Sequence, residues 1–304
     1  MSDILGSDIV GSDIVGSTRQ QESGGGPSTP VPRRLSRAEV RAERVASLSQ
    51  KADRLAHLVR PSGAAELGRE WMQGFDERRR LHEARAGRDV CWTESEQDDL
   101  PSVTVRIATF NRGPLVVERA IASALRQSYE HLEVLVVGDA CDDRTADAVR
   151  SVQDPRLRFV NLPRRGVYPA DPTDLWRVAG VHPMNAALFL ARGDWIAPCD
   201  DDDELTITHV EDLVRFAKEG RFEMVYSKAL VAEPGDRWRE IGHEPMREGG
   251  ISHGSVLYSA GLRFFRHSDT CWKLTEPADW NLWKRMRSAG VRIGFHDDVT
   301  YTHY

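Results

Sequence analysis

From residue 103 onward the chain alternates short β-branched runs with amphipathic stretches, and this alternation restricts the possible folds more than any other feature. Residues 103–108, 132–137 and 157–160 are rich in Val, Leu, Ile and Phe and read as buried strands. Residues 114–127, 144–152, 184–191 and 209–218 read as helices, the first opened by Pro114, whose fixed φ suits a first turn. Trp195-Ile196-Ala197-Pro198-Cys199, entered through Gly193-Asp194, and Met224-Val225-Tyr226 supply further strands. A β-α-β-α-β order predicts an α/β domain with a mainly parallel sheet flanked by helices. Right-handed crossovers would then gather ligands at the carboxyl ends of the strands.

Three of those carboxyl ends are polar. The first strand runs into Thr109-Phe110-Asn111-Arg112, the second into Gly138-Asp139-Ala140-Cys141-Asp142-Asp143, and the strand after Gly193 into Asp200-Asp201-Asp202-Asp203. Adjacent carboxylates repel one another, and a half-buried strand that ends in four of them calls for a counter-ion. Hard oxygen ligands suit Mg²⁺ or Mn²⁺, ions that take their remaining ligands from water and substrate phosphates. A solvated acidic turn is the plainer alternative. On one sheet edge the three ends converge, and together they describe a nucleoside-diphosphate pocket. No G-x-x-x-x-G-K-[ST] loop is present and no G-x-G-x-x-G follows the first strand, which argues against a P-loop NTPase or a dinucleotide-dependent dehydrogenase.

Composition narrows the partners. The formal net charge of −6 disfavours nucleic acid and anionic membranes, which need basic surfaces. Cys91, Cys141, Cys199 and Cys271 form no C-x-x-C pair and read as reduced thiols. Neither a signal peptide nor a transmembrane run of apolar residues is visible, so a soluble, cytoplasmic protein is expected. Residues 1–35 repeat a Ser-Asp-Ile-(Leu/Val)-Gly unit and then turn Gly- and Pro-rich, the composition of a disordered tail. Residues 36–100 read as a helical extension: a helix over 36–59 opened by a Ser36/Glu39 capping box, Pro61-Ser62-Gly63 as a break, and a second helix over 64–86. Such a hairpin either lies on the main domain or joins two copies through residues 36–88.

The ordered set Val105-Arg106-Ile107-Ala108-Thr109-Phe110-Asn111-Arg112, Ala120 to Ser128, Val134 to Asp143 and Asn185 to Asp194 followed by the acidic run resembles the catalytic domain of the family-2 inverting glycosyltransferases. The resemblance covers residues 103–216. It implies the GT-A, Rossmann-like fold over residues 101–304, with a nucleotide-sugar half (101–204) and an acceptor half (205–304). By the same resemblance, Thr109, Asn111 and Arg112 fall in the first nucleotide loop and Asp139 meets the base, usually uracil. Asp200 and Asp202 match the DxD pair, the later one on the metal and the earlier one on ribose or metal. Asp201 falls with the donor-binding residues, although it also reads as a solvated neighbour, and Asp203 as a support. Gly138 and Cys141 depart from the residues common in the family, and Arg177 is a base- or phosphate-facing candidate.

Family members keep a general-base carboxylate at a helix start, and Asp279 in Glu276-Pro277-Ala278-Asp279-Trp280 fits that pattern. An N-cap is its structural alternative, and a helix N-terminus keeps a carboxylate ionised in either role. His253 stands where relatives present a polar residue to the donor, and His303 where C-terminal histidines close over the metal. Trp272, Trp280 and Trp283 read either as an acceptor platform or, at helical spacing, as core. The expectation is a metal-dependent hexosyltransferase using Mn²⁺ or Mg²⁺. It would transfer a sugar from a nucleotide-sugar donor, a UDP-sugar by preference, to a hydroxyl on a sugar, lipid-linked sugar, natural product or peptide. A sugar nucleotidyltransferase and an inactive interaction domain are the rival readings.

Overall fold

Residues 61–87, Val90 and residues 100–304 are described by the computed structural model. The tail over 1–35 and the helix expected over 36–59 lie outside the described residues, and with them one arm of the expected hairpin. All described residues belong to one compact unit, Pro32–Tyr304.

The core is built on β1 (Val103–Thr109), whose Val103, Val105 and Ile107 are fully buried. Burying such a side chain stabilises the fold by about 2 kcal/mol relative to leaving it exposed. A short α2 (Gly113–Val116), a π-helical turn (Val117–Ile121) and α3 (Ala122–Leu125) lead to β2 (Leu132–Gly138). The helix expected over 114–127 is thus interrupted by a π turn. Next come α4 (Thr145–Ser151), β3 (Leu157–Asn161), α5 (Pro172–Val178), α6 (Val181–Leu190) and β4 (Trp195–Asp200). Helix α5 was not expected. Its start is set by Asp171, whose side chain accepts from Thr173 N and Asp174 N, with Pro172 in the first turn.

Strands β3, β2, β1 and β4 pair in parallel in that order, as the alternation predicts. The later half differs. After β5 (Glu204–Leu205) and α7 (His209–Gly220), β6 (Met224–Glu233) pairs antiparallel with β7 (Arg237–Ile241) and with β8 (Val256–Ser259). Strand β8 also joins β4 antiparallel, so one sheet runs through both halves. Helix α8 (Ala278–Ala289) precedes β9 (Ile293–His303), which lies parallel to β6 and antiparallel to β5. The parallel pairing expected of most of the sheet thus runs through its first four strands and returns between β6 and β9.

Helix α1 (Pro61–Ala86) lies on the main domain. Arg285 of α8 forms an ion pair with Glu77, both almost wholly buried. Lys284 Nζ reaches Glu70 at 2.6 Å, Thr270 Oγ1 donates to Glu66 at 2.6 Å, and Arg85 meets the buried Glu223 through two hydrogen bonds of 2.7 and 2.8 Å. Pro61-Ser62-Gly63, expected as a break, is helical. Leu67, Trp71, Met72 and Phe75 of α1 remain exposed. No helix among the described residues is long and apolar enough to cross a membrane.

Candidate active site

Strand register brings the three polar ends to one edge. Thr109 pairs with Gly138 across β1 and β2, and Ala108 pairs with Asp200 across β1 and β4. The Thr109–Arg112 loop, Asp139 and the acidic run therefore share one rim, where an open α/β sheet binds its ligands.

At the second strand end, Asp139 is buried and accepts from Gly166 N (3.0 Å) and Tyr168 OH (2.6 Å). The segment before α5 thus closes over the carboxylate that was expected to meet the base. Arg165 stacks its guanidinium over the Phe110 ring at 3.8 Å, on the same side of the rim. Asn111 takes a positive φ of 53°, with Nδ2 donating to Asp142 Oδ1 (2.6 Å) and Oδ1 accepting from Asp142 N (3.1 Å). Gly138 is required by a close approach: a Cβ there would lie 2.5 Å from Asn161 Oδ1, which accepts from Cys141 N at 2.8 Å. That contact accounts for glycine at a position where the family often carries an aspartate.

The four carboxylates separate by partner. Asp201 Oδ2 accepts from Thr109 Oγ1 (2.7 Å), and Arg112 Nη1 reaches Asp201 Oδ1 (3.1 Å) and Asp202 Oδ2 (2.5 Å). Asp200 Oδ1 accepts from His253 Nδ1 at 2.7 Å. Asp203, fully buried, accepts from Tyr301 OH (2.6 Å), His303 Nδ1 (2.6 Å) and Tyr304 N (3.0 Å). Burial pushes the Asp201 carboxyl up to about 6, with Thr109 and Arg112 opposing and the charges of Asp202 and Asp200 adding to the rise. Burial also acts to raise Asp200, but the hydrogen bond from His253, with His303 and Arg106, outweighs it and holds the carboxyl below its usual range. The hydrogen bond to Asp203 carries His303 up to about 9.

Ligand atoms of Asp200, Asp203 and His303 lie within 4.8 Å of one another. Two carboxylate oxygens and an imidazole nitrogen form a donor set suited to a divalent first-row ion. The cluster joins Asp200 and His303, both expected on the metal, with Asp203, which was expected only to support them. Asp202 lies on the Arg112 side of the run. Arg177 pairs with Asp174 on its own helix at 2.7 Å.

Asp279 sits in the first turn of α8, where Pro277 holds the capping position. Its Oδ1 accepts from Trp280 N at 2.7 Å. Burial raises its pKa, against the influence of His253, and Asp200 is close enough to raise it further. Trp280 and Trp283 belong to the apolar core, which leaves only Trp272 of the three tryptophans partly exposed.

Residues 104–170 and 181–275 match the Glycosyl transferase family 2 model. The chain belongs to glycosyl transferase family 2. Among family-2 relatives it is 39% identical over 107 residues to the succinoglycan biosynthesis protein ExoO of Rhizobium meliloti, covering 35% of this chain and 27% of that protein. It is 24% identical over 208 residues to the hyaluronan synthase of Pasteurella multocida, covering 65% of this chain and 20% of the synthase. It is 30% identical over 145 residues to the GalNAc(5)-diNAcBac-PP-undecaprenol beta-1,3-glucosyltransferase of Campylobacter jejuni, covering 47% of this chain and 42% of that enzyme. The matched region is thus under half the length of each of these relatives. The fold is shared with S. aureus TarS residues 1–349, solved in complex with UDP, at a TM-score of 0.52 and 19% identity, over 66% of this chain and 60% of that one. Both halves of the sheet accordingly follow the GT-A arrangement.

Several residues of the rim were not singled out by sequence. Tyr301 and Asp203 meet only because β9 returns beside β5, a long-range pairing that carries no local pattern. Tyr168 and Asn161 fold back onto the second strand end in the same way. Arg106 did carry a signal, as a charge inside an otherwise apolar strand.

Proposed function

We propose that this family-2 protein is a metal-dependent, inverting glycosyltransferase that moves a sugar, a hexose by preference, from a nucleoside diphosphate sugar to an acceptor hydroxyl. In this reading residues 101–204 form the nucleotide-sugar half and residues 205–304 the acceptor half. The observation that carries it is the Asp200/Asp203/His303 cluster at the strand ends, supported by Asp279 in the first turn of α8, whose carboxyl feels the charge of Asp200. A UDP-sugar is favoured because TarS, which shares the fold, was solved with UDP.

Asp200, Asp203 and His303, with Asp202 beside them, would hold the divalent ion. Bound there, it would neutralise charge on the departing diphosphate as a Lewis acid. The remaining steps belong to the chain. Thr109, Asn111 and Arg112 line the rim beside the diphosphate, with Arg112 able to exchange Asp201 and Asp202 for phosphate oxygens. Asp139 and Tyr168 face the base. Asp279 accepts the acceptor hydroxyl proton while the hydroxyl oxygen forms its bond to the anomeric carbon. The bond from that carbon to the diphosphate oxygen breaks on the opposite face, and the nucleoside diphosphate leaves. One displacement inverts the anomeric centre.

A thermal-shift screen of UDP- and GDP-sugars with and without Mn²⁺ tests the donor reading, since a ligand bound only by the folded state raises the melting temperature. Product analysis should show released nucleoside diphosphate. Released pyrophosphate would instead make the protein a nucleotidyltransferase. Absence of any metal-dependent shift would leave the inactive binding domain.

A further inference from the structure

Strand β1 carries a charge in its interior. Arg106 lies between the apolar Val105 and Ile107 and has no exposed surface. A buried cation is expensive unless an anion offsets it. The hydrogen-bond partners of Arg106 are two imidazoles: its Nη2 lies 2.9 Å from His253 Nε2 and 2.9 Å from His267 Nε2. Among the described residues its Nε and Nη1 have no partner at hydrogen-bond geometry, and the buried Tyr258 hydroxyl is close enough to interact with the guanidinium. The carboxylate in line with the guanidinium is Asp200, reached through His253, whose Nδ1 stands 2.7 Å from Asp200 Oδ1.

A guanidinium only donates. At 2.9 Å from an arginine nitrogen, His253 Nε2 must therefore be the acceptor, and the ring proton must sit on Nδ1, facing Asp200. Imidazolium and the Nε2–H tautomer would each set an N–H against an N–H. One of three protonation states fits. The two hydrogens on Nη2 serve the two histidines, one each. His267 is braced in turn by Asn185, whose Oδ1 accepts from His267 N (2.9 Å) and whose Nδ2 donates to His267 O (2.9 Å). The His253 ring lies 5.7 Å from His267 and 6.4 Å, stacked, from Trp283, centroid to centroid, so it has little room to turn.

We propose that Arg106 is a positioning residue for the donor site. It locks His253 as the neutral Nδ1–H tautomer, and the locked ring delivers one directed hydrogen bond to Asp200. This pins one carboxylate oxygen of Asp200 and leaves the other outside that bond. The inference rests on the glycosyltransferase reading for its functional meaning, but the tautomer does not depend on that reading. A group that holds a ligand side chain in this way sets both its orientation and its basicity.

The decisive measurement is the side-chain ¹⁵N spectrum of the full-length protein labelled on histidine, with His253 assigned by its loss in His253→Gln. The wild type should show His253 neutral and protonated on Nδ1. An Nε2–H or doubly protonated His253 would overturn the proposal, and this holds even if no Arg106 variant folds. In Arg106→Met, Nε2 loses its donor and the single-tautomer signature should disappear. Donor KM should rise about tenfold or more while the folded fraction keeps its kcat within about threefold. Arg106→Lys, which restores a donor, should recover most of the loss. A merely structural arginine would lower the melting temperature without moving donor KM or the His253 signature, and that pattern would also overturn the assignment. If no nucleotide sugar is consumed at all, the functional reading fails, while the ¹⁵N spectrum still decides the tautomer.

Discussion

Asp200 and Asp203 differ from Asp201 and Asp202 in what holds them, although all four are consecutive. The outer two are held from the second half of the chain: His253 on Asp200, and Tyr301, His303 and the Tyr304 amide on Asp203. The inner two are held from the first half, by Thr109 and Arg112. The outer pair is fixed by aromatic partners inside the domain, with Asp203 fully buried. The inner pair is held largely by an arginine whose side chain is 48% exposed. An exposed ion pair is worth about 0–1 kcal/mol and exchanges readily for another anion. Buried hydrogen bonds to a charge are worth about 1.5–3 kcal/mol each. The outer pair is thus a built site, and the inner pair a latch.

The largest effect expected on the built side is at Asp279, which feels both His253 and Asp200. Asp279→Asn keeps the shape and removes the base, so transfer should fall about 10³-fold, within the range of general-base contributions. Nucleotide affinity should hold within about twofold by calorimetry. Full turnover by the variant would move the base elsewhere.

Next comes Asp203→Asn. It sets an amide N–H₂ either against the Tyr301 hydroxyl and the His303 ring or, turned over, against the Tyr304 amide, all of which donate to the carboxylate. Denaturant unfolding should show a loss of about 2–4 kcal/mol, and the melting-temperature gain from nucleotide plus Mn²⁺ should vanish. Arg112→Met, on the latch side, should change stability by less than about 1 kcal/mol and weaken nucleoside diphosphate binding about tenfold. If Arg112→Met proves the more destabilising of the two, the division into built site and latch is wrong.

The same division governs what the sequence disclosed. The latch was legible because Thr109, Arg112 and the acidic run each follow a strand whose apolar pattern is local, and parallel alternation places their ends together. The built side was legible only as isolated candidates. His253 and His303 stood out as residue types. Their partners follow from β9 returning past β5 and β6, and from a buried arginine acting through β1. Antiparallel β7 and β8 sit in a stretch with no period clear enough to mark them, so the antiparallel part of the mainly parallel sheet, after β4, was not located. The expected role of Asp202 rests on motif spacing, whereas the cluster of ligand atoms forms around Asp203 because only that side chain turns inward toward β9.

The smallest effect separates the two sides by pH. His209 on α7 is fully buried, its Nδ1 2.7 Å from Thr300 Oγ1 on β9, the strand that brings Tyr301 and His303 to Asp203. Burial lowers its pKa to about 4 from an ordinary value of 6.5, despite the Thr300 hydrogen bond. The unfolded chain therefore binds the proton more readily than the native one between those values. Stability is fully present above pH 6.5 and is lost as pH falls toward 4, by at most about 3 kcal/mol. His303 works in the opposite direction: its pKa is raised to about 9, so its contribution is complete below pH 6.5 and is lost as pH rises through 9. That contribution is the smaller because the side chain is 43% exposed. Denaturant melts from pH 4 to 10 should show both limbs. His209→Asn should flatten the acid limb and leave the alkaline one, and His303→Gln should do the reverse. Arg112→Met should leave the alkaline limb in place, while the loss of its charge raises the Asp201 carboxyl further and alters the acid one.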